Sequence, residues 1–148
     1  MQYLEYERYK VKYNGLQWRF SQILLEKEKL FTKTQPDAIR YDKDKIQSSV
    51  SGNMLDNYVI SLEEKKIDQK LSILRKSLKN WQTLLDLKER ELRRSKSMSD
   101  RIYVLKYIDG QEVSKIAGLT NYSKSQIYRI LRQIEKRCEN MRQNMWYY

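Results

Sequence analysis

The chain has 148 residues and a formal net charge of +11, from 30 Lys and Arg against 19 Asp and Glu. A balance this basic favours a polyanionic partner such as a nucleic acid or an anionic surface. The absence of histidine and the single cysteine, Cys138, exclude a histidine base, an internal disulfide and a thiolate zinc cluster. Four glycines and one proline among many Leu, Ile, Lys, Glu and Gln residues predict an all-α fold.

The first predicted element is a long amphipathic helix. Apolar residues recur at steps of three and four from Tyr6 to Leu30, interrupted once by Lys27 and weakened at Gly15. The stretch 32–53 then holds the only proline and little periodicity, so we predict a flexible connector there.

A second apolar stripe runs in one register from about Asp56 to about Arg94. A helix of this length would exceed about 50 Å and could not cover its apolar face alone. The first helix supplies a matching face, so we predict a long, coiled-coil-like antiparallel hairpin over residues 1–94, which would serve as an oligomerisation region. Partner chains could cover the same faces.

The basic run from Lys88 to Lys96 has two interpretations. Its cations could contact phosphates beside a nucleic-acid site. They could equally be an ordinary helix end, where cations complement the helix dipole.

A polar segment, Ser95 to Ser99, predicts a hinge before a second domain at 99–148. We expect Ser99 to cap a helix at 100–108, which Asp109 and Gly110 would end.

The pattern from Val113 to Leu131 has the spacing of a helix-turn-helix. We predict a first helix at 111–117, with the small Ala117 permitting a close crossing, and a left-handed turn residue at Asn121. Gly118 is an alternative cap for the first helix. Ser123 would cap a last helix of about twenty residues, whose apolar stripe continues to Met145.

The outward face of that last helix is rich in hydrogen-bond donors and forms our candidate DNA-binding site. A purely structural helical corner is the alternative interpretation. The candidate residues are Ser123, Lys124, Ser125, Gln126, Tyr128, Arg129 and Arg132.

Nothing in the sequence predicts an enzyme. The glycines are isolated, the acidic pairs lie among lysines, and no Ser-His or Cys-His pair can form. We therefore predict no catalytic residue, no metal and no cofactor. Cys138 lies on an apolar stripe, which favours packing over redox sensing.

The stretch R-I-Y-V-L-K-Y-I-D-G-Q-E-V-S-K-I-A-G-L-T-N-Y-S-K-S-Q-I-Y-R-I-L resembles the C-terminal module of sigma-70 region 4. The upstream stretch K-I-Q-S-S-V-S-G-N-M-L-D-N-Y-V-I-S-L-E resembles small phage late-transcription regulators of the RinA and ArpU type. The resemblance covers roughly residues 41–137. It implies a phage or prophage regulator that binds duplex DNA near late promoters.

From these features we expect a sequence-specific regulator in the cytoplasm of a bacterial host cell, with no membrane partner. No apolar run reaches membrane-spanning length, and the opening residues lack the apolar core of a signal peptide. Apolar stripes that one chain leaves uncovered predict a homodimer. Its centre would be either the seam, meaning the apolar positions from Leu71 to Leu92 in the second stripe, or the C-terminal stripe. RNA polymerase is a further candidate partner. The alternatives are a small phage DNA-packaging (terminase small) subunit and a structural coiled coil with an incidental basic face.

Overall fold

The computed structural model describes the backbone of residues 1–34 and 50–145 and the side chains of residues 1–32 and 55–145. These residues contain no strand, which confirms the predicted all-α class. They form five α-helices, with one π-helical turn, Val104–Ile108, continuing the third. The helices are α1 (Gln2–Thr34), α2 (Val50–Arg94), α3 (Met98–Tyr103), α4 (Val113–Thr120) and α5 (Lys124–Met145).

Contacts divide the chain into two units. The terminal unit joins residues 1–14 to residues 80–148, and the central unit is residues 15–79. The boundary expected between residues 94 and 99 falls inside the terminal unit, and the range 1–94 is shared between the two. The start of α1 therefore belongs with α3, α4 and α5, which its sequence pattern did not indicate.

The terminal unit has a continuous apolar core to which every one of the five helices contributes. The apolar stripe of α5 supplies four of its residues, as its steps of three and four predict. The core residues are Tyr3, Tyr6, Leu85, Leu92, Ile102, Tyr103, Val104, Ile116, Ile127, Leu131, Ile134 and Cys138.

A buried carboxylate holds the first turn of α1. The Oδ1 atom of Asp100 accepts the backbone N–H of Tyr3 at 3.0 Å, and Oδ2 accepts the hydroxyl of Ser95 at 2.6 Å. The side chain of Asp100 thus satisfies one of the unpaired donors at the helix start and places a negative charge at the positive end of the helix dipole.

A second buried carboxylate joins α1 to α3 and α5. Glu7 accepts hydrogen bonds from the hydroxyl of Tyr103 and from Nη2 of Arg142, the latter at 3.1 Å. Burial and the bond to Glu7 raise the pKa of Tyr103, and the same carboxylate raises the pKa of Arg142. Because a buried charge is stable only when it is paired, this cluster fixes where α5 lies on the start of α1.

In the central unit, α1 and α2 run antiparallel. Lys27 Nζ lies 2.7 Å from Asp68 Oδ1, and the Arg75 guanidinium lies over the Phe20 ring at 5.9 Å, so residue numbers rise on one helix as they fall on the other. The seam residues Ile67 and Leu71 of α2 are buried, and those of α1 are half-buried. Gly15 does not interrupt α1.

Several predicted boundaries are corrected. Residues 35–49 of the predicted connector lie outside the described residues, and helix occupies both of its ends. The third helix begins at Met98, so Ser99 lies inside it and does not cap it. The predicted hinge shrinks to residues 95–97, where Ser95 Oγ accepts the N–H of Ser97 at 3.2 Å and the Ser95 N–H donates to the carbonyl oxygen of Leu92 at 3.1 Å.

The chain covers parts of both surfaces that we expected at the centre of a dimer. The α5 stripe from Ile134 to Met141 and the seam residues Leu71, Leu85 and Leu92 are buried within one chain. The α5 stripe therefore packs in the core of the terminal unit, whereas Leu74, Leu78 and Trp81 of the seam are only half-buried. No described helix combines the length and the apolar content needed to cross a membrane.

Candidate nucleic-acid interface

The first helix of the candidate motif, α4, is short and apolar on one side. Ile116 is fully buried, and Ala117 is half-buried against the core. The helix runs from Val113 to Thr120, shifted from the predicted 111–117, because Gly118 continues the helix and does not cap it. The Thr120 hydroxyl donates to the Ile116 carbonyl at 2.7 Å and is buried in the last turn.

The turn after α4 has the geometry predicted from its sequence. Asn121 has φ of 58° and ψ of 24°, and it is the only described non-glycine residue with a positive φ. Asparagine tolerates this left-handed conformation better than other residues with a side chain. The prediction of a left-handed residue at Asn121 is therefore confirmed.

A reciprocal capping box starts α5. The Ser123 hydroxyl accepts the backbone N–H of Gln126 at 3.3 Å, and the Gln126 side-chain oxygen accepts the backbone N–H of Ser123 at 3.0 Å. This pair confirms Ser123 as the N-cap and gives Gln126 a structural role. Both residues remain exposed.

The first half of α5 is sharply amphipathic. Ile127 and Leu131 are buried in the core, and their burial turns the opposite side of the helix to solvent. Of the seven candidate residues, the remaining five are all exposed: Lys124, Ser125, Tyr128, Arg129 and Arg132.

Three of these residues, Lys124, Arg129 and Arg132, are cations. Within the described part of the chain, none of the three forms an ion pair with a carboxylate. Tyr128, which is half exposed, adds a phenol hydroxyl to the same surface. The face thus offers charged and neutral donors, and its three cations have no ion-pair partner in the part of the chain that the structure describes.

The basic run from Lys88 to Lys96 behaves differently. Lys88 pairs with Glu91 at 2.9 Å and with Glu5 at 3.2 Å, and Arg93 pairs with Glu89 and with Asp109 at 2.9 Å. These ion pairs raise the pKa of both cations. Two of the cations in this run are therefore already engaged within the chain, which favours the ordinary helix-end interpretation for them.

The second half of α5 anchors the exposed face. The hydroxyl of Tyr107 donates a hydrogen bond to the carboxylate of Glu135 at 3.0 Å. Burial is the largest cause, and this hydrogen bond the second, of a rise in the pKa of Tyr107 to about 12. Burial is also the largest of the effects that raise the pKa of Cys138 to about 11. The thiol is consequently protonated near neutral pH, which supports a packing role for Cys138.

A feature that the sequence did not indicate lies beside the exposed face. Lys106, on the π-helical turn, lines a shallow cavity of about 340 Å³ together with Lys124 and Tyr128. The start of α4 forms the rest of its wall, with Val113, Ser114 and the carboxylate of the N-cap residue Glu112. Lys106 belongs to a different helical segment, which packs against α4, so the sequence around α5 gives no sign of it.

Among the described residues, no group of three His, Cys, Asp or Glu side chains is arranged to hold a metal ion. This surface can donate hydrogen bonds to an anionic polymer and attract it with positive charge. No family model, no curated protein and no solved structure matches the chain.

Proposed function

We propose that this chain is a sequence-specific DNA-binding transcription regulator of phage or prophage origin, acting on late-gene promoters. In this proposal α4 and α5 form a helix-turn-helix, and α5 is the recognition helix. The observation that carries it is the exposed face of α5, where Lys124, Arg129 and Arg132 have no carboxylate partner among the described residues. The resemblance of the same residues to sigma-70 region 4 supports the assignment.

The roles follow from donor geometry. An arginine such as Arg129 can donate two hydrogen bonds to the O6 and N7 atoms of guanine in the major groove. Lysines such as Lys124 and Lys106 contact phosphates as point charges and set the register of the protein on the duplex. The hydroxyls of Ser125 and Tyr128 can donate to phosphates or to base edges.

Residues 1–94 would contribute a helical hairpin that dimerises or contacts RNA polymerase. A two-fold homodimer would present two recognition helices to a repeated or palindromic site, about one helical turn apart. The packing of the first turns of α1 in the terminal unit supports a connection between this hairpin and the DNA-binding module, through the bonds of Asp100 and Glu7.

The test is duplex affinity as a function of salt concentration. Arg129→Ala should cost about 1–3 kcal/mol on the preferred sequence and relax specificity at one position. Lys124→Ala should weaken all sequences alike and reduce the salt slope by about one unit. Lys76→Ala removes one exposed lysine of the central unit and serves as the matched control, with an affinity close to that of the wild type.

If neither α5 variant changes affinity relative to Lys76→Ala, α5 is not the recognition helix. Mapping of bound DNA in the native host separates the remaining functions. A sharp site at a late promoter supports regulation, and a site at a packaging sequence with a ring of eight or more copies supports packaging. Weak, sequence-indifferent binding supports a structural role.

A further inference from the structure

One side of the central unit carries an open apolar groove between α1 and α2, which we call the central groove. Two adjoining cavities of about 340 and 470 Å³ form it, and they share Glu26 and Lys70. Its apolar lining comes from Ile23 and Leu30 of α1 and from Ile67, Leu74 and the rim residue Ile73 of α2.

The central unit buries little of its apolar surface. Among its described side chains only Ile67 and Leu71 are buried, whereas Ile73 is 66% exposed. Nearer the start of α2, Val59 and Leu62 are also exposed, and they lie at helical spacing from Ile73. Two helices side by side make one layer, and a stable core requires a second layer on top of it.

The charges around the groove indicate what that second layer is. Each edge carries both signs, and within the described part of the chain none of these groups forms an ion pair. The edge of α1 provides Arg19, Glu26 and Lys29, and the edge of α2 provides Glu63, Lys66 and Lys70.

A partner of a single charge sign would leave one set of these groups unpaired. A second copy of the same face brings both signs, because an isologous two-fold interface is formed by one patch meeting itself. Glu26 and Glu63 of one copy can then face lysines of the other. Elsewhere in the central unit, Lys27 already pairs with Asp68 within the chain.

The size of the face is sufficient for such a contact. Residues 15–32 of α1 extend for about 27 Å at about 1.5 Å per residue, and two helices about 10 Å apart make a layer about 20 Å wide. The face therefore covers roughly 500 Å² per copy. The total of roughly 1,000 Å² reaches the lower limit for a specific protein–protein interface.

We propose that the central groove is a homodimer interface, in which the α1–α2 layers of two copies pack face to face as four helices. This inference rests on the proposed function only for the use of the dimer, namely the presentation of two recognition helices to one DNA site. It places the contact on the open side of the central unit, where seam residues such as Ile23 and Leu74 are only half-buried.

The test compares two exposed residues of the central unit. Ile73→Glu puts a carboxylate on the rim of the groove, and Leu25→Glu makes a similar change at a 48% exposed residue that lines neither cavity. Because both side chains are exposed, both variants should fold, as circular dichroism can verify. Sedimentation equilibrium without DNA should show a wild-type dimer at micromolar concentration, an unchanged Leu25→Glu dimer, and a dissociation constant at least tenfold higher for Ile73→Glu.

A wild-type monomer at about 100 µM, a larger ring, or an equal response of the two variants would overturn the proposal. These outcomes do not depend on DNA binding. A wild-type dimer that fails to bind duplex refutes the proposed function alone. A monomer that binds duplex through α5 refutes the groove interface alone.

Discussion

Replacing Asp100 tests most directly whether the start of α1 is part of the terminal unit. Asp100 is 1% exposed, and its replacement by alanine leaves the Tyr3 N–H and the Ser95 hydroxyl without their acceptor. Loss of a helix cap costs about 0.5–2 kcal/mol, and an unsatisfied buried donor costs about 1–3 kcal/mol. Since both penalties fall on one site, we expect Asp100→Ala to lower the free energy of unfolding by about 2–4 kcal/mol.

Urea denaturation followed by circular dichroism measures this loss. The matched control is Asp109→Ala, which removes an exposed carboxylate paired with Arg93 and should cost at most about 1 kcal/mol. Asp100→Asn keeps a side-chain oxygen and should fall between the two. A loss for Asp100→Ala no larger than that for Asp109→Ala would refute the role of Asp100 as the anchor of α1.

Three further predictions concern the turn after α4, the packing of α5, and two side chains with raised pKa values, Cys138 and Tyr107. Asn121→Val should cost about 1–2 kcal/mol because a β-branched residue resists a φ of 58°, whereas Asn121→Gly should be neutral within about 1 kcal/mol by the same urea assay. Ile127→Ala should cost about 2–5 kcal/mol, since Ile127 is fully buried, and a smaller loss would contradict the packing of α5 on the core. The folded state holds the pKa of Cys138 near 11 and that of Tyr107 near 12, above the values of about 9 and 10 expected when unfolded. The unfolded chain therefore loses these protons first, so the free energy of unfolding should fall as the pH rises from about 9 to 12. Cys138→Ala should make this fall shallower between about pH 9 and 11.

The C-terminal elements could be predicted because their signals are local. The left-handed Asn121, the cap at Ser123 and the stripe of α5 depend on neighbouring residues and on helical spacing alone. The reach of α5 to Met145 followed from the absence of Gly and Pro in its sequence. The exposure of the cations at Lys124 and Arg129 followed from the same periodicity.

The arrangement of α1 could not be predicted in the same way. Asp100 contacts Tyr3 across 97 positions, and Glu7 contacts Arg142 across 135, and no local pattern specifies such pairs. The stripe of α1 offers a matching face to that of α2 and so predicts a hairpin, but it carries no sign that residues 1–14 share a unit with α3, α4 and α5. The α5 stripe looks uncovered in the sequence because the core that it joins also includes Tyr3 and Tyr6 of α1, which lie far away in the sequence.

The central claim is that the exposed face of α5 reads the sequence of duplex DNA. Selection from a pool of random duplexes, followed by sequencing of the bound fraction, tests it directly for the wild type and for Arg129→Ala. We predict that the wild type enriches a short motif and that Arg129→Ala, with an unchanged circular dichroism spectrum, loses the preference at one position of that motif. Failure of the wild type to enrich any sequence, or the same motif at the same strength from both proteins, would contradict the claim.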